Sequence, residues 1–299
     1  MHQNCVQGVQ ERLGMALTIN TNLSSMIVQK NLNSATTGLN SAIEKMTTGY
    51  RINHAKDDAA GYSIATSWAT KISSLDVASE NASMGLDLLK TSEENYSLIT
   101  EHLQRVRDLT EQAANGTYGA DSKAAIKAEI TARLTEIDRI SANAEFNGIP
   151  LMNGAGTAKT LQVGIDKSAN SKITLDATLF AAATTAKLFA TGGTDAKLDE
   201  VATACTGNAA ADQLEKIDTA ISNIATRVTT IGAVQNRVES AISSISVQSE
   251  NLTSSLSTIK DADVAEESSN YIKAQILQQA SATLLATANQ LPSIALNLI

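Results

Sequence analysis

Asp57 and Asp58 are adjacent carboxylates, the residue type that general acid–base chemistry uses. Their spacing argues against that use, because consecutive residues on a helix diverge by about 100°. They suit a helix start, where one carboxylate caps free N–H groups and the other favours the helix dipole. The histidines are His2, His54 and His102, and no HExxH, Walker A, GxSxG or GxGxxG sequence occurs. Cys5 and Cys205 form neither a disulfide framework nor a metal spacing and read as incidental thiols. Five Asn-x-Ser/Thr sequons, Asn81-Ala82-Ser83 among them, sit mostly within helical stretches and read as chance. The expectation is a chain that is not an enzyme, with no catalytic, cofactor-binding or metal site.

Composition points the same way. Aromatic residues make up only 3% of the 299 residues, although 43% are hydrophobic, many of them Ala. A bulky enzyme core would use more large rings. Long helices with small contact residues fit better. A net charge of −8 argues against nucleic acid as a partner. No run of 18 apolar residues exists, so a membrane span is not expected. The N-terminus has no basic region followed by an apolar one, so it does not read as a secretory signal. Residues 1–14 end at Met15-Ala16-Leu17-Thr18, which reads like a second start, so they are expected to be a non-native or mis-started extension.

The elements follow from apolar spacing. From residue 208 onward Gly232 and Pro292 are the only helix breakers. Leu214, Ile217, Ile221, Ile224, Val228, Ile231, Val238, Ile242, Ile245, Leu252, Leu256 and Ile259 alternate by three and four, interrupted only at Gln235 and Ser249. This predicts a coiled-coil helix roughly 70 Å long, as in a rod. Leu75, Leu89, Tyr96, Ile99, Leu103 and Val106, with Ala78 and Ala82, fit a second register. Ile126, Ile130, Leu134 and Ile137 continue on a third helix after the break at Asn115-Gly116-Thr117-Tyr118-Gly119. Glu101 with Arg105 and Arg107 with Glu111 are i,i+4 pairs on a solvated face. Thr160–Val163 and Lys172–Leu175 read as a small β-hairpin, and Phe146–Pro150 as a turn. Residues 176–211, rich in Ala, Thr and Gly, read as a short surface insert.

Both ends lack charge. After Met15 the first charged residue is Lys30, and none follows Lys273. Ile276, Leu277, Leu284, Leu285, Leu291 and Ile294 are nonetheless helically spaced. A surface helix usually keeps a charged face. These ends are therefore expected to bury themselves against other helices, and residues 16–45 and 274–299 to be largely unfolded in the free monomer.

Several blocks resemble one family, bacterial flagellin. Ile19-Asn20-Thr21-Asn22 resembles its start. The run Gly49 to Gly61, with Arg51, Ile52, Asn53, Asp57, Asp58 and Gly61, resembles its G-x-R-I-N-x-A-x-D-D-A-A-G block. Leu103–Leu109, Glu145–Gly148, Asp261–Ser268, Gln275–Ala280 and Ala288-Asn289-Gln290-Leu291-Pro292 extend the resemblance. It implies a mostly α fold: a long antiparallel helical coiled-coil rod built from both termini, with a small β-hairpin region and a short central insert. Its expected parts are an inner coiled coil from 15–56 and 261–299, a rod from 57–175 and 212–260, and an outer insert at 176–211.

The resemblance implies a subunit that polymerises into the extracellular flagellar filament, after unfolded export through the flagellar type III apparatus. Implied partners are further copies of the chain, an export chaperone on the C-terminal helix, and the filament cap and hook-junction proteins. Leu23, Ile27, Leu32, Leu39, Ile43, Ile276, Leu277, Leu284, Leu285 and Leu291 would form the polymerising inner coil. The animal Toll-like flagellin receptor would contact Gln104, Arg105, Leu109, Gln112, Glu129 and Arg133, where Asp108 and Thr110-Glu111 depart modestly from the usual motif. The rival readings are a hook–filament junction protein and a cytoplasmic coiled-coil signalling or chaperone protein.

Overall fold

A computed structural model describes residues 21–153, 157–190, 198–206 and 210–296. The proposed extension 1–14 lies outside them. The chain divides into two compact units. One contains the described residues up to Ser67 and from Ser254; the other is Trp68–Thr253. The two boundaries fall within α2 (Ala59–Ala114) and α6 (Ala210–Lys260).

The larger unit holds one contiguous apolar core. Every apolar seam position expected on α6, from Leu214 to Ile259, is buried or half-buried, and so are the two interruptions Gln235 and Ser249. Within the larger unit, α2 buries Leu75, Ala78, Ala82, Leu89, Tyr96, Ile99, Leu103 and Val106. The third helix, α3 (Ala120–Asn143), buries Ile126, Ile130, Leu134 and Ile137. Heptad spacing puts these residues on one stripe of each helix, and burial of that stripe drives the packing. Arg105 does not take its expected partner Glu101 but pairs with Glu129 of α3. Arg107 does meet Glu111, at 3.4 Å, and also Asp218 of α6, at 2.6 Å.

Two antiparallel strand pairs follow α3. In the first, β1 (Glu145–Phe146) pairs with β2 (Ile149–Pro150). Asn147 and Gly148 make the turn with φ of 50° and 73°, values that Asn and Gly adopt most readily. In the second, β3 (Lys159–Gln162) pairs with β4 (Lys172–Leu175), the expected hairpin.

The segment from 176 is not simply a surface insert. Leu179, Phe180, Ala183, Phe189, Val201, Ala202 and Cys205 belong to the core of the larger unit. They lie on a short 3₁₀ turn, on and beside α4 (Thr185–Leu188), and on α5 (Leu198–Thr206). Thr185 N donates to Asp138 Oδ1 at 2.6 Å, and Tyr96 Oη donates to Leu179 O at 2.9 Å. Arg227 Nη1 donates to Ala181 O at 3.0 Å while its guanidinium sits 5.9 Å from the Tyr96 ring. Ala- and Thr-rich composition suggested exposure; sparse bulky residues at the right places override it, because burial follows individual side chains. Burial also pushes the Cys205 thiol up, away from reactivity.

In the smaller unit α1 (Leu23–Thr48) packs against α7 (Val264–Leu296). Asn22 starts α1 by accepting from Ser25 N at 3.1 Å. Gly49 ends it with φ 74°, the left-handed conformation that glycine adopts without a Cβ clash. The backbone of α7 continues through Pro292. Among the described residues no helix is long and apolar enough to cross a membrane.

Candidate assembly surface and joint

The α1–α7 pair is antiparallel. Asn22 Nδ2 donates to Ala288 O at 2.7 Å, Gln278 Nε2 to Thr36 Oγ1 at 3.2 Å, and Lys45 Nζ to Glu267 Oε1 at 3.1 Å. What the pair buries is small. Ala35 and Ala42 are buried on α1; Ala274, Ser281 and Ala288 are buried on α7. A Cβ placed on Gly38 would lie 3.9 Å from Ala274 Cβ, so the backbones approach closely. The buried positions recur every seven residues, the spacing of one heptad seam, and Glu267 continues that row one heptad before Ala274.

The large apolar residues point elsewhere. Leu23 is 67% exposed, Ile276 60%, Leu284 57%, and Ile27, Ile43 and Leu277 are also exposed. Leu32, Leu39 and Leu285 are half-buried, and the side chain of Leu291 lies outside the described set. These are residues expected in the polymerising inner coil; within the single chain the small residues, not these, make the buried row between α1 and α7. Most of the large residues line the outside of the pair, because the close approach favours Ala, Ser and Gly along the buried row. With no charge after Lys273, the exposed large residues on α7 sit among uncharged polar side chains rather than charged ones.

The signature block builds a joint between chain ends. Ala262 N donates to Gly49 O at 2.8 Å and Arg51 N to Lys260 O at 2.7 Å. Arg51 Nη2 donates to Ile259 O at 2.6 Å, a cation on the free carbonyls at the C-terminus of α6. The Lys260 ammonium sits 4.1 Å above the Tyr50 ring. Ile52 is buried, and Asn53 Nδ2 donates to Tyr50 O at 3.2 Å.

Asp57 and Asp58 divide their work. Asp58 Oδ1 accepts from Gly61 N at 2.9 Å and caps α2. Asp57 instead accepts from Asn53 N and His54 N, at 3.2 and 3.0 Å, and clamps the loop. The His54 backbone bond leads in holding its carboxyl below the usual range. Gly61 has no spare room: a Cβ would lie 2.5 Å from Asp58 Oδ2 and 2.7 Å from Ile52 Cδ1. Asp263 caps α7 in the same way, accepting from Ala265 N at 2.8 Å.

The candidate receptor residues fall on α2, with Gln104, Arg105, Leu109 and Gln112, and on α3, with Glu129 and Arg133. Arg105 Nε and Nη2 both lie 2.9 Å from Glu129 Oε1, and Arg133 Nη2 lies 4.0 Å from the same oxygen. Gln104 and Gln112 are exposed, with Gln112 Nε2 donating to Tyr118 Oη at 2.9 Å. Leu109 is only 2% exposed. It is a core residue, so its expected role as an apolar contact for a partner is withdrawn. Among the described residues no group of three His, Cys, Asp or Glu could hold a metal ion.

Residues 19–157 match the bacterial flagellin N-terminal helical region, and residues 214–299 match the bacterial flagellin C-terminal helical region. The chain belongs to the bacterial flagellin family. It is 33% identical to a flagellin of Listeria monocytogenes, over 95% of this chain and 99% of that one. It is 32% identical to flagellin FlaB1 of Treponema pallidum, over 91% of this chain and 96% of that one. A solved structure described as a flagellar hook-associated protein of Vibrio parahaemolyticus superposes with a TM-score of 0.58 at 15% identity, covering 69% of this chain and 100% of that one. That likeness is one of fold alone.

Flagellins are structural proteins, and this chain is a filament subunit. The family forms homopolymers in the extracellular flagellar filament. The flagellin blocks are legible in the sequence, whereas the α1–α7 seam is not obvious there, because a heptad seam is ordinarily marked by large apolar residues. The signal was present as Ala274, Ser281 and Ala288 at seven-residue spacing, matched by Ala35 and Ala42. Tyr50 and Lys260 were missed because their contact joins positions far apart in sequence.

Proposed function

We propose that the chain joins the filament through the outside of the α1–α7 pair. Leu23, Ile27, Ile43, Ile276, Leu277 and Leu284 would be covered there by neighbouring copies. The observation that carries this reading is their exposure along a helix pair with no charge beyond Lys273. Burying an exposed Leu or Ile contributes roughly 1.5–3 kcal/mol. Such a face would be an aggregation hazard before assembly. The reading therefore includes unfolded export through the flagellar type III apparatus, an export chaperone over about 262–299, and placement under a cap beyond the hook-junction proteins. The test is electron microscopy of purified chain added to filament seeds. Seeds extend with the wild type and fail to extend with Leu277→Asp, while the larger unit stays folded. Extension by Leu277→Asp at the wild-type rate would refute the reading.

The patch around Arg105 supports a second role, as ligand of the host Toll-like flagellin receptor. Gln104, Arg105, Gln112, Glu129 and Arg133 remain its candidates, without Leu109. The Arg105 guanidinium is half exposed and offers planar donors beyond those taken by Glu129. Arg105→Ala is expected to reduce activation of receptor-bearing cells. Full activation by that variant would remove this role.

A further inference from the structure

Asn115-Gly116 joins α2 to α3 and takes no part in either surface above. Both residues are exposed. Asn115 Oδ1 accepts two hydrogen bonds from Thr117, from the backbone N at 3.1 Å and from Oγ1 at 3.0 Å. The ring closed by the first bond contains the Gly116 nitrogen. The side-chain carbonyl carbon is thus held over the stretch of backbone where that nitrogen lies. Gly116 N donates no hydrogen bond among the described residues. Apart from its own chain neighbours, nothing lies within 4 Å of the point where a Gly116 Cβ would stand, so no other part of the chain crowds the turn there. Two donors on Oδ1 draw electron density from the carbonyl carbon. They also meet the oxygen as it becomes negative during addition, as an oxyanion site does.

We propose that Asn115 is a site of spontaneous, self-promoted deamidation. Gly116 N attacks Asn115 Cγ and gives up its proton. The bond from Cγ to the side-chain nitrogen breaks, and ammonia leaves with the proton it has gained. Water then opens the five-membered succinimide at either carbonyl, leaving aspartate or isoaspartate. The product places a negative charge just past the C-terminus of α2, where the helix dipole opposes it, four residues after Glu111. The isoaspartate route also adds a methylene to the backbone of the turn that carries the Gln112–Tyr118 bond.

Asn147-Gly148 is the internal control. It is equally exposed, but it is the turn of a strand pair in which Phe146 faces Ile149, with Asn147 φ at 50°. Among the described residues no hydrogen bond reaches the Asn147 side chain. The test is incubation of the full chain in mildly alkaline buffer, read by peptide mass mapping and isoaspartate detection. Asn115 is expected to convert several-fold faster than Asn147 in the folded chain, and the two rates to converge in denaturant. Thr117→Ala should slow Asn115 several-fold and leave Asn147 unchanged, with circular dichroism confirming the fold. Conversion of Asn147 at or above the rate of Asn115 in the folded chain would overturn the proposal. So would a Thr117→Ala chain that converts Asn115 at the wild-type rate, or a rate difference that persists in denaturant.

Discussion

The helices of the two units use the same seven-residue repeat for opposite purposes. In the larger unit, α2, α3 and α6 turn Leu89, Leu103, Ile130, Leu134, Ile224 and Val238 inward. In the smaller unit, α1 and α7 turn Ala35, Ala42, Ala274, Ser281 and Ala288 inward and leave Leu23, Ile276 and Leu284 in the open. A seam of large side chains stabilises a chain by itself, because each buried residue removes much apolar surface from water. A seam of small ones brings backbones close but removes little, so the stabilising surface stays available to other molecules. One unit completes its core within the chain, and the other keeps exposed apolar surface, which the proposed assembly would cover.

The largest expected effect tests that division directly. Leu103→Ala should cost about 2–5 kcal/mol in urea unfolding of the free chain, because it opens a cavity in a closed core. Leu277→Ala should stay within about 0.5 kcal/mol, as for an exposed position, and still slow seed extension. Equal losses at the two sites would break the comparison. Hydrogen exchange sharpens it: amides of α1 and α7 should exchange fast in the monomer and slowly in filaments, while those of α2 near Leu103 are protected in both. Strong protection of α1 and α7 in the monomer would count against assembly-coupled folding of the ends.

Smaller effects probe the seam and the joint. Ala42→Leu should overpack the α1–α7 pair by about 1–3 kcal/mol and lower the melting temperature of filaments, although it adds apolar surface. An unchanged or raised filament melting temperature would show that the close approach is not needed. Asp58→Ala should cost about 1 kcal/mol through the lost cap on α2, read by thermal unfolding. Acid gives the smallest effect. The Asp57 carboxyl is held below its ordinary value, so its clamp is fully present above the ordinary carboxylate pKa and is lost as pH falls through the lowered one. Exchange of the Asn53 and His54 amides, monitored on lowering the pH, should therefore rise only below about pH 4. Asp57→Asn should show raised exchange already at neutral pH.

Much of this was legible in the residues. The apolar positions from Leu75 to Val106 and from Leu214 to Ile259 fixed the helices of the larger unit and the face each one buries. Alternation at Thr160–Val163 and Lys172–Leu175 located the hairpin. The block from Arg51 to Gly61 was recognisable as a signature, but its work as a joint was not. Arg51 reaches carbonyls more than two hundred residues away, and no local pattern encodes that distance.

Sequence alone therefore determined the long helices, the β3–β4 hairpin and the charge-free ends, because periodicity and the placement of charges are properties of neighbouring residues. For α1 and α7, tertiary structure decided which side faces in. It assigned Leu109 to the core and Leu284 to the surface, and it put Phe180 and Phe189 inside a segment that composition had placed outside. The physical reason is the distance between helix backbones. Where that distance is short, small residues such as Ala35, Ala42, Ala274, Ser281 and Ala288 fill the space between them, and most of the larger residues are left on the outside.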